Sequence, residues 1–349
     1  MSKDRGNTYM GRNADDRGVA VIAVGASAGG VDAISAVVAG LPADLEAAVL
    51  VVLHVSPRGK SVLPHILSSR GPLPARHAVD GERLEPGRVY VAPPDQHLVV
   101  EPGRVRVTGE PRENGVRPSV DTLFRSAALA YGPAVVGVVL SGTLDDGTAG
   151  LIAIKQHGGV AVVQDPAEAV FPSMPANAAR FADPDHVVPL DKVPSLLASI
   201  VEEWSEDRRA RAQHGTDDDE AQPGDASAAA QPGEPSEFTC PECGGTLWEQ
   251  QEGDLLRFRC RVGHAYSTES LLADQREALE AALWGAVVAL EERADMAIRL
   301  ARRMDDGGRS HRAGRYNREA GDARRRAGIV REAIAHLSLP DSEGADADG

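Results

Sequence analysis

From residue 19 to about residue 200, short runs of aliphatic and β-branched residues alternate with helix-like segments, and this alternation restricts the architecture more than any other feature. Residues 19–24, 47–55, 88–91, 134–140, 160–163 and 186–188 read as strands. Residues 30–39, 61–68, 119–130, 147–156 and 193–203 read as helices. Strands that are apolar throughout, rather than every second residue, belong in a parallel sheet with both faces covered. The pattern therefore predicts an α/β fold over 18–203, a doubly wound, mostly parallel sheet with flanking helices. A hairpin over 97–100 and 104–107 interrupts it, turning on Glu101, Pro102 and Gly103. Hydrophobic residues make up 42% of the chain but aromatics only 4%, so the core must be built from Val, Leu, Ile and Ala.

Outside that block the composition changes. Residues 1–17 are polar, carry no apolar secretory core, and are expected to be disordered, which places the chain in the cytoplasm. Residues 204–237 are rich in Asp, Glu, Ala, Gln, Pro and Gly and read as a disordered acidic linker separating two folding units. A compact segment at 238–267 reads as a zinc-ribbon-like module. Apolar spacing over 268–337 predicts a helical hairpin, and 338–349 an acidic disordered tail. The longest apolar runs are far short of the roughly 20 residues that span a bilayer, so no membrane insertion is expected. With 37 Lys and Arg against 52 Asp and Glu, the formal charge is −15, which opposes a chain-wide grip on nucleic acid. The hairpin is locally Arg-rich over 299–331, but Glu and Asp are interspersed and Tyr316 is the one Phe, Tyr or Trp in that stretch able to stack. A protein partner for this module is favoured over nucleic acid.

The chemistry-bearing residues gather where strands end. Gly25-Ala26-Ser27-Ala28-Gly29 follows the first strand and satisfies G-x-S-x-G, a turn that exposes a serine before a helix N-terminus. Taken alone it is equally a phosphate-binding or structural turn, although Ser27 occupies the second glycine position of the dinucleotide fingerprint. His54 ends the second strand at the same sheet edge, and His97 competes with it as a candidate base. Asp145 and Asp146 follow the strand at 134–140 and supply a carboxylate that could orient an imidazole, or a helix cap.

These pieces, in order, resemble the catalytic domain of the chemotaxis-receptor protein-glutamate methylesterases, the CheB family. They are GASAGGVDA (25–33), LHVSP (53–57), VYVAPPDQHLVV (89–100), RPSVDTLFRSAA (117–128), LSGTLDDGTAG (140–150), then GGVAVVQDP and SMPANAA. The resemblance implies Ser27 as nucleophile, His54 as base and Asp146 as the orienting carboxylate, with Asp145 as a neighbour that caps a helix. It implies hydrolysis of glutamate γ-methyl esters on methylated chemoreceptors or receptor-like helical proteins, with deamidation of receptor glutamines, and no cofactor for catalysis. The backbone amides of Ala28 and Thr143 would hold the tetrahedral oxyanion. Two departures stand out: about eighteen residues precede the first strand, leaving no room there for the receiver domain of familiar members, and Thr143 stands where methionine is common. The alternative is a non-catalytic signalling or nucleic-acid adaptor that keeps the esterase fold as a scaffold.

All three cysteines lie in the ribbon segment. Cys240-x-x-Cys243, sixteen residues, then Cys260-x-x-x-His264 supplies four ligands in two knuckles suited to a tetrahedral Zn²⁺ with no open position, hence structural. A small ribbon of this kind would depend on the metal for much of its folding energy.

Overall fold

The computed structural model describes residues 19–56, 59, 61–214, 233–252, 255–306 and 310–337. The expectations of disorder at 1–17, at 338–349 and through the middle of the linker lie outside the described residues. The chain divides into two compact units, Met1–Leu271 and Leu272–Gly349.

The first unit begins with β1 (Ala20–Ala26), α1 (Gly30–Gly40), β2 (Ala47–Leu53), α2 (Leu63–Arg70), β3 (Ala75–His77), β4 (Arg88–Val91), the hairpin β5 (His97–Glu101) and β6 (Arg104–Thr108), and α3 (Val120–Tyr131). It continues with β7 (Val135–Val139), α4 (Thr148–Gln156), β8 (Val160–Gln164), α5 (Ser173–Phe181), β9 (His186–Val188) and α6 (Val193–His214). Among the described residues seven strands form one sheet in the order β3-β4-β2-β1-β7-β8-β9, and every neighbouring pair is parallel. All seven residues of β1 and all seven of β2 are buried. Side chains alternate between two cores. Ile22 and Val24 pack with Ile34, Val37 and Leu197 on one face, while Val21 and Ala23 pack with Leu123, Phe124 and Leu151 on the other. This double burial is why the strands show no polar alternation.

Crossovers from β1 run one way to β2, and those from β7 run the other way to β8 and β9, so the sheet reverses direction between β1 and β7. A crevice opens outside the strand ends at such a reversal. The register Val24↔Val51 and Val24↔Val138 aligns the ends of β1, β2 and β7 at one edge.

Three differences from the sequence reading have physical causes. The three-residue β3 is too short to show a period, and α5 carries Pro175 in its first turn, where a proline without an N–H is tolerated. The expected linker does not begin at 204: α6 continues to His214, with Trp204 packed on the apolar core and Ser205 buried. Arg208 donates to Ser205 Oγ at 3.0 Å and Arg209 pairs with Glu46. Likewise β10 (Glu234–Thr239) starts inside the segment assigned to the linker.

β10 leads a four-stranded antiparallel ribbon with β11 (Thr246–Glu252), β12 (Leu255–Cys260) and β13 (Ala265–Ser267). Its small core is Leu247, Phe258, Tyr266 and Leu271 around Cys240 and Cys260. The ribbon is not a separate folding unit, as the linker had suggested, but is packed against the α/β layer. The Asn114 N–H donates to the Ala265 carbonyl at 2.7 Å, the Ala265 N–H donates to the Arg112 carbonyl at 3.3 Å, and the Arg257 side chain is buried in the joint.

The helical pair is α7 (Thr268–Asp306) and α8 (Ser310–Leu337). From Leu272 onward they form the second unit, where Ala294 and Ala297 pack with Ala320 and Ala323. Arg293–Glu319 and Arg324–Asp295 pairs flank that contact at 2.7 and 3.5 Å. Among the described residues no helix is long and apolar enough to cross a membrane.

Candidate active site

Ser27 leaves the end of β1 with its N–H donated to the Ser141 carbonyl at 3.0 Å, which ties it to the neighbouring β7 edge. The sharp bend expected at the serine falls instead at Gly29, whose φ of +72° is the left-handed conformation that glycine adopts without a Cβ clash. Gly142 is required by proximity: a Cβ there would stand 3.0 Å from that of Ser27 and 2.4 Å from the Met174 sulfur.

His54 follows β2 and its N–H donates to the Ala26 carbonyl at 3.2 Å, so serine and histidine lie side by side at the sheet edge. Its Nε2 is 2.8 Å from Asp146 Oδ2. Because an ionised carboxylate only accepts, Nε2 carries the proton and Nδ1 keeps the lone pair that a base needs. Among the described residues Ser27 Oγ makes no hydrogen bond. The structure thus joins His54 to Asp146 and sets Ser27 alongside without the serine–imidazole bond, a link that often tightens only when substrate binds. His97 is no competitor: it is 1% exposed, its Nε2 faces the Pro111 carbonyl at 3.0 Å, its Nδ1 accepts from the Ser119 N–H, and burial lowers its pKa.

Asp146 is 2% exposed and accepts five hydrogen bonds. Oδ1 receives Asn114 Nδ2 (2.9 Å), Ser119 Oγ (2.9 Å) and the Asp121 N–H (3.1 Å), and Oδ2 receives the Val120 N–H (2.7 Å) and His54. Two of these donors are first-turn amides of α3, so a helix N-terminus faces the charge. Burial alone would raise this carboxyl, but the His54 hydrogen bond and charge, the Val120 amide and Asn114 outweigh it and hold Asp146 well below the usual carboxylate range.

Asp121 repays the arrangement in mirror image. Its Oδ1 accepts the Gly147 and Gly150 N–H groups at 2.9 and 2.7 Å, and so caps α4. Asp145 had been expected to cap that helix. It does not: the N-cap is Gly147, and Asp145 Oδ1 instead accepts from Ser267 Oγ of the ribbon at 2.7 Å. Burial, opposed by that hydrogen bond and reinforced by Asp121, Glu269 and Asp146, raises the Asp145 carboxyl to about 7.

The backbone N–H groups of Ala28 and Thr143 have no protein acceptor among the described hydrogen bonds; Ala28 follows Ser27 in the chain, and Thr143 follows Gly142, which lies close against Ser27. Thr143 is exposed, whereas Gly142, between it and Ser141, is committed to the Phe171 carbonyl at 3.0 Å.

Sequence reasoning missed Glu113, Asn114, Asp121 and Arg257. Asn114 Nδ2 bridges Asp121 and Asp146, while Arg257 and Arg125 both pair with Glu113. RPSVDTLFRSAA contains Asp121, but a first-turn aspartate signals its own helix rather than a cap on another, and nothing local marks Arg257.

In the ribbon, one ligand atom each from Cys240, Cys243, Cys260 and His264 lies within 4.8 Å of the others. Cys243 Sγ to Cys260 Sγ is 3.7 Å, and His264 Nδ1 is 3.6 and 3.5 Å from Cys240 and Cys260 Sγ. Zn–S bonds of about 2.3 Å in a tetrahedron put sulfurs about 3.8 Å apart, so the donors fit that ion. Glu242 lies 3.1 Å from His264 Nε2, the carboxylate–histidine pairing that orients a ligating imidazole.

The family profile of the CheB methylesterase matches residues 22–197. A Methanosarcina mazei protein named protein-glutamate methylesterase/protein-glutamine glutaminase 2 is 38% identical over 189 residues, covering 52% of each chain. An Anaeromyxobacter dehalogenans protein, numbered 3 under the same name, is 44% identical over 180 residues, covering 51% of this chain and 53% of that one. This chain thus spans about half the length of these relatives, whereas a Leptospira interrogans relative, 36% identical over 181 residues, is matched over 93% of its length. The crystal structure of the Thermotoga maritima CheB methylesterase catalytic domain aligns with a TM-score of 0.50 and 32% identity, covering 52% of this chain and 98% of that one.

Proposed function

Since this chain belongs to the CheB methylesterase family, we propose that it is a serine hydrolase that removes γ-methyl esters from glutamate side chains of chemoreceptor-type proteins in the cytoplasm, and that it deamidates receptor glutamines. The observation that carries the reading is the 2.8 Å His54–Asp146 pair beside Ser27, at the crevice where the sheet reverses. The names of the relatives support the substrate class and the second activity.

On this reading His54 Nδ1 takes the Ser27 proton as Oγ attacks the ester carbonyl. The tetrahedral oxyanion is held by the Ala28 and Thr143 amides. The imidazolium, steadied by Asp146, returns the proton to the leaving methoxide, so methanol departs and an acyl-serine remains. Water, deprotonated by the same Nδ1, then releases the glutamate carboxylate and restores Ser27. With a glutamine substrate, ammonia leaves instead. Nothing favours the scaffold-only reading, because the imidazole is held in the tautomer that makes it a base.

A Zn²⁺ held by Cys240, Cys243, Cys260 and His264 is structural on this reading, since four protein ligands leave it no open position. The helical pair serves as a protein-binding segment, supported by the exposed Leu272, Leu279, Trp284 and Val288 along α7.

The test is methanol release from a methylated receptor. Ser27→Ala should lower it by about 10⁴-fold or more while the protein stays folded. Activity that survives this change would sink the acyl-serine mechanism.

A further inference from the structure

Arg257 stands on β12 of the ribbon, 136 residues from Asp121 in the chain, yet its guanidinium is buried inside the α/β layer. One nitrogen donates to Asp121 Oδ2 at 2.9 Å and the other to Glu113 Oε1, while Nε faces Glu252 at 3.5 Å. Arg125 of α3 closes the far side of Glu113, and Thr122 Oγ1 donates to it at 3.1 Å. The carboxylates of Glu113, Asp121 and Asp146 thus share one buried network with two guanidinium groups, one of them supplied by the ribbon.

The network reaches the candidate triad by direct contacts. Asp121 gives its own N–H to Asp146 Oδ1. Asn114 donates to both Asp121 and Asp146 from a left-handed backbone, φ +54°. The ribbon and the first turn of α7 fix Asn114 on its other sides: its Oδ1 accepts from the Ser267 N–H at 3.0 Å and from Ser270 Oγ of α7 at 3.2 Å, and its N–H is held by Ala265. Without Arg257, Glu113 and Asp121 would face each other and Asp146 with a single cation left to balance them. Buried like charges in contact either separate or take up protons. Either response moves Asn114 and the first turn of α3, which together supply four of the five hydrogen bonds to Asp146 when Ser119 is counted with that turn.

We propose that Arg257 is a positioning residue for the esterase: delivered by the ribbon, it neutralises the Glu113–Asp121 pair and thereby holds Asp146 in line with His54. The ribbon is therefore a part of the active site's frame. The proposal rests on the esterase reading, and its test separates the two. A strut that served only the fold would lower stability and leave turnover in the folded fraction unchanged, because the reacting groups would stay where they are. A positioning residue changes turnover itself.

The experiment compares full-length wild type, Arg257→Met and Arg257→Lys for kcat and KM on a methylated receptor, and for the far-downfield proton NMR resonance of the His54–Asp146 hydrogen bond. Arg257→Met should lower kcat about 10- to 100-fold with KM unchanged, the size expected when reacting groups are misplaced by an ångström or less, and should broaden or shift the resonance. Arg257→Lys keeps the charge but loses the fork, so it should recover part of both signals. If Arg257→Met does not fold, Arg257→Lys alone decides, with a kcat several-fold below wild type and a shifted resonance. Folded variants with wild-type kcat and an unmoved resonance overturn the proposal. If wild type itself hydrolyses no ester, the esterase reading fails, and the resonance still reads the positioning.

Discussion

Asp146 and Asp145 are neighbours in sequence, yet they belong to two regions built on different principles. The floor of the crevice sets Asp146 against two first-turn backbone amides of α3, whose place is fixed by Leu123, Phe124 and the apolar core beneath them, with the Asn114, Ser119 and His54 side chains completing its contacts. The seam with the ribbon is held by side chains: Arg257 on Glu113 and Asp121, Ser267 on Asp145, and Asn177 on Glu269 at 2.8 Å. Backbone donors do not ionise, and among single substitutions only one to proline removes them. Side-chain pairs can be protonated, mutated or pulled apart. The comparison teaches that the floor fixes the chemistry, while the seam is where that chemistry is open to adjustment by the ribbon.

The sharpest way to break the floor is Asp146→Asn. The amide would keep the volume, but its NH₂ would point at donors that Asp146 now accepts, and a neutral side chain no longer selects the Nε2–H tautomer of His54. A loss of about 10⁴ in kcat is expected, with the fold retained. If Asp146→Asn turned over normally while Asp145→Asn was crippled, the assignment of floor and seam would be reversed.

A smaller effect is expected from loosening the seam at a distance. Cys243 belongs to the four-donor cluster that brackets β12 and β13, the strands that carry Arg257, Ala265 and Ser267. Wild type should hold one Zn²⁺ per chain. Cys243→Ser should reduce that content, make residues 233–271 more sensitive to protease, and lower kcat about tenfold through the displaced Arg257. Metal loss that leaves protease sensitivity and kcat untouched would show the ribbon to be independent of its metal and the seam indifferent to it.

What was legible in the sequence follows the same division. Ser27, His54 and the Asp145–Asp146 pair could be brought to one edge because each follows a strand whose apolar run is visible, and the choice of Asp146 within that pair came from the family resemblance. Cys240, Cys243, Cys260 and His264 could be grouped because two short knuckles carry their own spacing. The seam was not legible. Asp121 caps a helix other than its own, Arg257 is one arginine in an alternating strand, and their meeting depends on packing between segments far apart in the chain. The acidic composition after 203 also misled: Glu, Arg, Ala and Gln are good helix formers, and Trp204 with Ser205 anchors the turn from which α6 continues to His214.

The smallest effect should come from Asp145, and its sign separates seam from floor. Burial raises this carboxyl from its ordinary 3.8 to about 7, so between those values the folded chain keeps a proton that the unfolded chain has released. Stability against unfolding therefore falls as pH rises from about 4 to about 7, and above 7 the fold carries the whole penalty. Glu113, held at about 2 because Arg125 and Arg257 together outweigh its burial, has the opposite sign: its contribution is complete above its ordinary value of 4.5 and disappears as pH falls through 2. Asp146 shares that sign. In urea unfolding, Asp145→Asn should match wild type near pH 4 and exceed it by on the order of 1 kcal/mol at pH 8, a modest figure because the Ser267 hydroxyl can shift and admit water. A difference that instead grew as pH fell below 4 would mean that Asp145 is held ionised like Asp146, and that floor and seam are a single electrostatic unit.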